Sequence, residues 1–198
     1  MLGVTASLEV RPVGQREVDA LDELFGSERN TGHCWCMSFC TSRAQFAAGW
    51  FGGGNRRRFE TMAGGHTPMG VIAFLGEAPV GWGACGPRSR YVGANPSRHP
   101  MLGGRPRAED DTVWLLPCLF VHAGHRAQGV SHALVQAAGS LARRHGAVAI
   151  EGWPLSSSQS RGGDAFVGRE QLFAELDFRC VARPVPTRAI MRLDLLAA

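Results

Sequence analysis

The chain contains no lysine: all 21 basic side chains among its 198 residues are arginine. A kinase-type phosphate loop, which needs G-K-[ST], is therefore excluded, and no G-x-G-x-x-G follows a strand to mark a dinucleotide fold. No apolar run approaches the ~18 residues of a membrane helix. The opening MLGVTASLEVRPV lacks a basic segment followed by an apolar one, so no secretion leader is read. The expectation is a cytoplasmic protein that does not engage a membrane. No dense basic stretch interleaves with aromatics. The nearest, NRRRF at 55–59, spreads its arginines around a helix, so nucleic acid is not an expected partner. Tyrosine is nearly absent, Tyr91 being the only one.

What is present is an ordinary globular composition, 44% hydrophobic and 19% charged, with a net charge of +4. That charge is modest and carried on guanidinium groups, which suit phosphate or carboxylate contacts. One domain is expected. SLEVRPV (7–13) alternates as a strand, and 14–26 has helical spacing at Val18, Leu21, Leu24 and Phe25 before Gly26. Residues 27–40 are rich in Cys and aromatics and read as irregular. A helix is expected over 42–63, broken or kinked by the glycines at 52–54. Strands are expected at 69–76 and 79–88, then a long aperiodic loop at 88–111. TVWLLPCLFVH (112–122) is a buried strand in which Pro117 calls for a bulge. A helix over 129–145 has Leu134, Ala138, Leu141 and Ala142 on one face and ends at Gly146. A strand at 147–153, a loop, a short helix at 169–178 and an antiparallel closing pair complete a mixed α/β (α+β) order.

The segment HRAQGVSHALV (125–135) is the most specific. A strand ends at His122, a short basic turn comes next, and a helix begins beyond it. The first N–H groups of that helix lack intrahelical partners, and its dipole places partial positive charge there. Gly129 lets a ligand approach the backbone, and Arg126 adds a full charge. Together they describe a pyrophosphate cradle.

Arg126-Ala-Gln-Gly129-Val-Ser131 resembles the acyl-CoA signature R/Q-x-x-G-x-G/A of the GCN5-related N-acetyltransferase (GNAT) superfamily, with Ser131 in place of Gly or Ala. The interrupted strand LLPCLFV and the element order from residue 7 to about 194 are similar as well. The resemblance implies a mostly antiparallel central sheet with splayed fourth and fifth strands, flanked by helices, and acetyl-CoA as acyl donor. The amides of Ala127, Gln128, Gly129, Val130 and Ser131 would bind the coenzyme A pyrophosphate. The backbone of Leu119, Phe120 and Val121 would pair with the pantetheine arm, and the acetyl carbonyl would lie near Pro117–Cys118. In this reading Trp35 and Phe39 wall the acceptor site, and a homodimer is a possible assembly.

Acetyl transfer needs a neutral amine, a route for its proton, and a departing thiolate. Glu151, in AIEGW, aligns with the glutamate of the LEV strand that serves as base in ribosomal-protein-type relatives, and its apolar neighbours would raise its pKa. The other reading of Glu151 is a strand glutamate that binds an arginine. Asp111 is a candidate for holding a cationic acceptor. The family's usual acid, the tyrosine of lYeklGF, corresponds to Phe173 in LFAELDF, which cannot donate a proton; Phe173 would instead sit against the cofactor. Cys118 is a candidate near the sulfur. Cys85, Cys118 and Cys180 read as small buried hydrophobes. GHCWCMSFC lacks a usual zinc spacing and reads first as packing, so no metal is expected. Two functions are compatible with these residues: an N-acetyltransferase for a small-molecule or peptide amine, or a non-catalytic acyl-CoA-binding module of the same fold. A zinc-dependent interaction protein is a more distant third.

Overall fold

The computed structural model describes residues 7–91, 105–156 and 166–195. Its centre is one seven-stranded sheet in the order β1-β2-β3-β4-β5-β7-β6. The strands are β1 (Leu8–Pro12), β2 (Gly70–Leu75), β3 (Ala78–Pro87), β4 (Val113–Val121), β5 (Ala149–Gly152), β6 (Arg179–Val185) and β7 (Arg188–Asp194). All neighbours are antiparallel except β4 and β5.

Two layers cover the sheet, and the side-chain alternation of the strands assigns each residue to one of them. Helix α5 (Val130–Arg144) packs on one face with Val71, Ala73, Leu116 and Leu119. Its buried stripe of Leu134, Ala138, Leu141 and Ala142 is the face expected from the spacing, and Gly146 beyond its end is in the left-handed region. On the other face lie α1 (Val18–Gly26), α2 (Arg29–Cys34), α3 (Arg43–Gly49) and α4 (Gly54–Ala63). Phe25, Trp35 and Phe59 from this layer meet Ile72, Phe74 and Trp82 of the sheet. Burying each of these aromatic or branched side chains contributes about 1.5–3 kcal/mol. The arginines of 55–59 do point apart: Arg56 pairs with Asp22 and Glu60, while Arg57 reaches the carbonyl of Gly52.

Several elements depart from the sequence reading. Residues 27–40 are not irregular throughout, because α2 forms within them. The Thr31 hydroxyl donates to the carbonyls of Phe25 and Glu28 at 2.8 and 2.9 Å, which fastens α2 to the end of α1. The expected helix over 42–63 is two helices, parted at the glycine run as anticipated; a Ser42–Gln45 capping box starts α3. Cys180 is exposed rather than buried, because β6 is the outer edge strand. Cys85 and Cys118 are buried. The short helix near the C-terminus, α6 (Glu170–Ala174), is shorter than the expected 169–178.

The bulge at Pro117 sets the course of the sheet on either side of it. Opposite it, the β3–β4 register slips between Ala84↔Cys118 and Gly86↔Leu115. Beyond it, β4 and β5 separate: their pairing runs only from Val113↔Ala149 to Leu116↔Gly152. Most of the long 88–111 loop, 92–104, lies outside the described residues, but its ends are fixed. Arg88 is buried and pairs through Nε with Asp110 Oδ1 at 2.7 Å, and Ser89 N–H donates to the Asp110 carbonyl at 2.7 Å.

Phe173 of α6 fills the space left by the missing side chain of Gly152. A Cβ there would overlap the Phe173 ring at Cε1. Gly152→Ala should therefore lower stability by about 1–3 kcal/mol, read by urea unfolding, with recovery when Phe173→Leu is added. An unchanged midpoint for the single variant would contradict this packing.

Candidate active site

Past the bulge, one edge of β4 pairs with no other strand among the described residues. His122 N–H donates to the Val80 carbonyl at 3.0 Å. By the alternation of an antiparallel ladder, Phe120 and Cys118 share that β3-facing edge, and Leu119 and Val121 turn their amides toward the gap. Arg126 Nε donates to the Val121 carbonyl at 3.3 Å.

The strand runs into a turn whose backbone is forced open. Ala127 has φ 58 and Gly129 φ 78, both left-handed. For Ala127 this costs about 1–2 kcal/mol, a strain that only surrounding structure sustains. No side chain caps the start of α5, so its first amides stay available, and a Cβ on Gly129 would meet nothing within 4 Å. Turn and strand edge together line a cleft of about 520 Å³. Leu119, Val121, Arg126, Ala127, Gly129 and Ser131 lie on its wall, as does Val130. Gln128 neighbours it, its side-chain amide donating to the Gly124 carbonyl at 3.3 Å.

The cleft has members that the sequence reading missed: His125, His132 and Arg169. His132 is next to Ser131 in the first turn of α5 and was within reach of a spacing argument. Arg169 arrives from the start of α6, which only the fold reveals. His132 Nε2 lies 2.8 Å from Glu175 Oε2, which joins α5 to α6. Arg126 Nη2 lies 3.6 Å from Glu28 Oε1, a largely solvated pair.

A second cavity of about 290 Å³ opens on the other face of β4, where Cys118 and Phe120 point. Phe166 lines both cavities. Its walls come from α1, α2, α3 and the segment between α2 and α3, through Phe25, Cys34, Cys36, Phe39, Phe46 and Trp50. Trp35 and Cys36 are consecutive non-glycine residues in the left-handed region, φ 47 and 52. Turning the chain there buries the Trp35 ring edge-on to Phe25 and Phe59 and aims Cys36 at Trp82. Trp82 Nε1–H donates to Cys36 Sγ at 3.1 Å. The neighbouring Cys118 thiol and burial both push the Cys36 thiol well above its ordinary pKa. Burial pushes Cys34 up to about 11.

Four assignments need correction. Trp35 is core, 2% exposed, and lies behind the cavity rather than on its wall; Phe39 does line it. Asp111 is exposed just before β4, at the opposite end of that strand from Cys118–Val121. Phe173 is fully buried against Phe178, their ring centroids 5.1 Å apart, beneath the cleft floor rather than on it. Glu151 is fully buried and held by two arginines: Arg192 Nη1 at 3.1 Å, and Arg105 through Nη2 in a short contact. Both contacts fall on Oε1, which clamps β5 to β7 and to the end of the 88–111 loop, while Oε2 is buried with no hydrogen-bond partner among the described residues. Tyr91 is buried with Leu115 and Trp153, apart from both cavities.

No protein-family model matches the chain, and no curated protein matches its sequence. Solved structures do match its fold. One is yncA of Salmonella typhimurium, assigned as an acetyltransferase and solved with acetyl-CoA: TM-score 0.57, 14% identity, 96% of this chain and 95% of that one. Another is the paia N-acetyltransferase of Thermoplasma acidophilum in complex with coenzyme A: TM-score 0.55, 11% identity, 95% and 99% covered. A third is an acetyltransferase of Thermus thermophilus: TM-score 0.54, 16% identity, 96% and 99% covered. The chain has the fold of the GNAT acetyltransferases, with the splayed β4 and β5 that the resemblance implied. Among the described residues no helix is long and apolar enough to cross a membrane.

Replacing Glu151 should act on stability. Glu151→Leu leaves two partly buried guanidinium groups without their shared anion and should cost about 3–5 kcal/mol, measured by urea unfolding, with coenzyme A affinity retained. A variant as stable as the parent would contradict the clamp.

Proposed function

We propose that the chain is an acetyl-CoA-dependent N-acyltransferase. The observation that carries this reading is the continuity of one cleft: the vacated edge of β4 leads directly to the open amides at the start of α5. A pantetheine arm can pair with the first while a pyrophosphate rests on the second, as an added strand and a helix-terminus anion site respectively. Arg126 supplies charge at the phosphate end, and Arg169 adds a second positive charge on the cleft wall. The acetyl-CoA and coenzyme A held by two of the structural neighbours support the choice of donor.

In this reading the thioester reaches the bulge, where the Leu119 amide is the nearest free donor on the gap edge and polarises the carbonyl. The acceptor approaches from the aromatic cavity, past Cys118. The amine nitrogen bonds to the carbonyl carbon, the C–S bond breaks, and the nitrogen's proton ends on the coenzyme A sulfur. Cys118, whose side chain faces the cavity, is the group of this chain placed to relay that proton. Glu151 and Phe173 take no part in proton transfer, which departs from the ribosomal-protein-type scheme.

A second reading, the non-catalytic acyl-CoA-binding module, is favoured by two observations: Phe173 stands where the acid would be, and the one tyrosine, Tyr91, lies apart from the cleft. Thiol release from acetyl-CoA separates the two. The enzyme reading expects sustained release with an amine; the module expects coenzyme A binding without release across a broad panel of amines. For the cleft itself, Gly129→Glu puts a carboxylate in the phosphate position at a strain cost of about 1–2 kcal/mol. Calorimetry should show coenzyme A binding lost while a cooperative melt persists. Unchanged affinity would reject this placement of the cofactor.

A further inference from the structure

We propose that the aromatic cavity takes a weakly basic aromatic amine, one already neutral at physiological pH, as the acyl acceptor. The inference rests on the acyltransferase reading above and names its substrate class.

The argument is from what the cavity wall offers. Among the described residues lining it there is no carboxylate, imidazole or guanidinium. The wall is built from aromatic rings on six separate segments, including Phe25, Phe39, Trp50, Trp82, Phe120 and Phe166. The polar atoms of the wall are neutral, and several are engaged: the Thr31 hydroxyl donates to two carbonyls, Cys36 Sγ accepts from Trp82, and Cys34 Sγ donates to Ser38 Oγ at 3.8 Å. The described wall offers a cationic acceptor no counter-charge, and leaving water without one is strongly unfavourable. A planar ring, by contrast, meets edge and face partners on several sides. The volume, about 290 Å³, is at the lower end of ligand pockets and suits one ring system with small substituents.

The same wall limits the chemistry. Among the described residues, the titratable groups that face the cavity are the thiols of Cys34 and Cys36 from α2 and the residues after it, and of Cys118 from β4. Cys34 and Cys36 hold their protons more tightly than a free thiol does, so neither is a base near neutral pH. His33 of α2 stacks on the Trp50 ring and does not line the cavity. Glu28, at the head of α2, faces Arg126 rather than the cavity. An alkylammonium would arrive protonated and find no base among the described lining residues. An arylamine arrives with its lone pair free. Its nitrogen attacks the thioester carbon, the C–S bond breaks, and the proton lost by nitrogen passes to the departing sulfur, giving an aryl amide and coenzyme A.

The test uses the wild-type protein with aniline and 2-phenylethylamine as paired probes, which share a ring and differ in basicity. Acetyl-CoA binding is measured separately by calorimetry. Thiol release near neutral pH should give a kcat/KM for aniline at least about tenfold above that for 2-phenylethylamine. The aniline value should stay flat between about pH 6 and pH 8, while any 2-phenylethylamine activity climbs about tenfold per pH unit with its free base. Trp50→Ala should raise KM for aniline about tenfold with acetyl-CoA affinity unchanged. If acetyl-CoA binds but 2-phenylethylamine is preferred, or neither amine is acetylated, the substrate class is wrong and the donor site stands. If benzoyl-CoA with a small amine is used better than acetyl-CoA with aniline, the cavity holds the acyl group and the proposal fails. If acetyl-CoA does not bind at all, the acyltransferase reading fails beneath it.

Discussion

The separation of β4 from β5 is the constraint on which the site depends. A proline cannot complete a ladder, so Pro117 sits in a bulge, and beyond it β4 keeps, among the described residues, only its β3 partner. Ordinarily a strand with one vacant edge inside a fold would leave backbone donors and acceptors unpaired, an unfavourable state. Here the vacancy opens on a cleft and is continued by the uncapped start of α5. The sheet is closed where stability requires it and open where an extended ligand can complete it.

Strain is concentrated around the same opening. Ala127 and Gly129 hold left-handed conformations in the turn, and Trp35, in the core, and Cys36, on the cavity wall, do so beside the second cavity. Each pair aims groups at a space: the first aims amides into the cleft, the second brings a sulfur under the Trp82 indole. The rest of the layer compensates through dense aromatic packing around Phe25, Phe59 and Trp82. Away from the opening, charge serves anchoring. Arg88, Arg105 and Arg192 gather Asp110 and Glu151, and so tie both ends of the 88–111 loop to the sheet.

Much of this was legible before any fold was known, and the reason is local. The bulge comes from one proline in an apolar strand, and the phosphate turn from Arg126, Gly129 and a helix start within a few residues. The stripe on α5 reflects a 3.6-residue period. What could not be read depends on distant partners. Glu151 is an arginine-clamped carboxylate only because β7 brings Arg192 and the loop end brings Arg105. Trp35 and Phe39 are close in sequence, yet the left-handed turn sends one into the core and the other to the cavity. Cys180 is exposed because the chain crosses over to place β7 inside β6, an order that no spacing records. Arg169 reaches the cleft by the same kind of long-range placement.

The central claim is that one continuous backbone surface, from the edge of β4 to the first turn of α5, receives the cofactor. Titrating coenzyme A into isotopically labelled protein and tracking the amide resonances tests it directly. The account predicts saturable shifts largest at Leu119, Val121 and the amides from Ala127 to Ser131, with β1 and β6 unmoved. Shifts confined to other elements, or none at saturating coenzyme A, would contradict it.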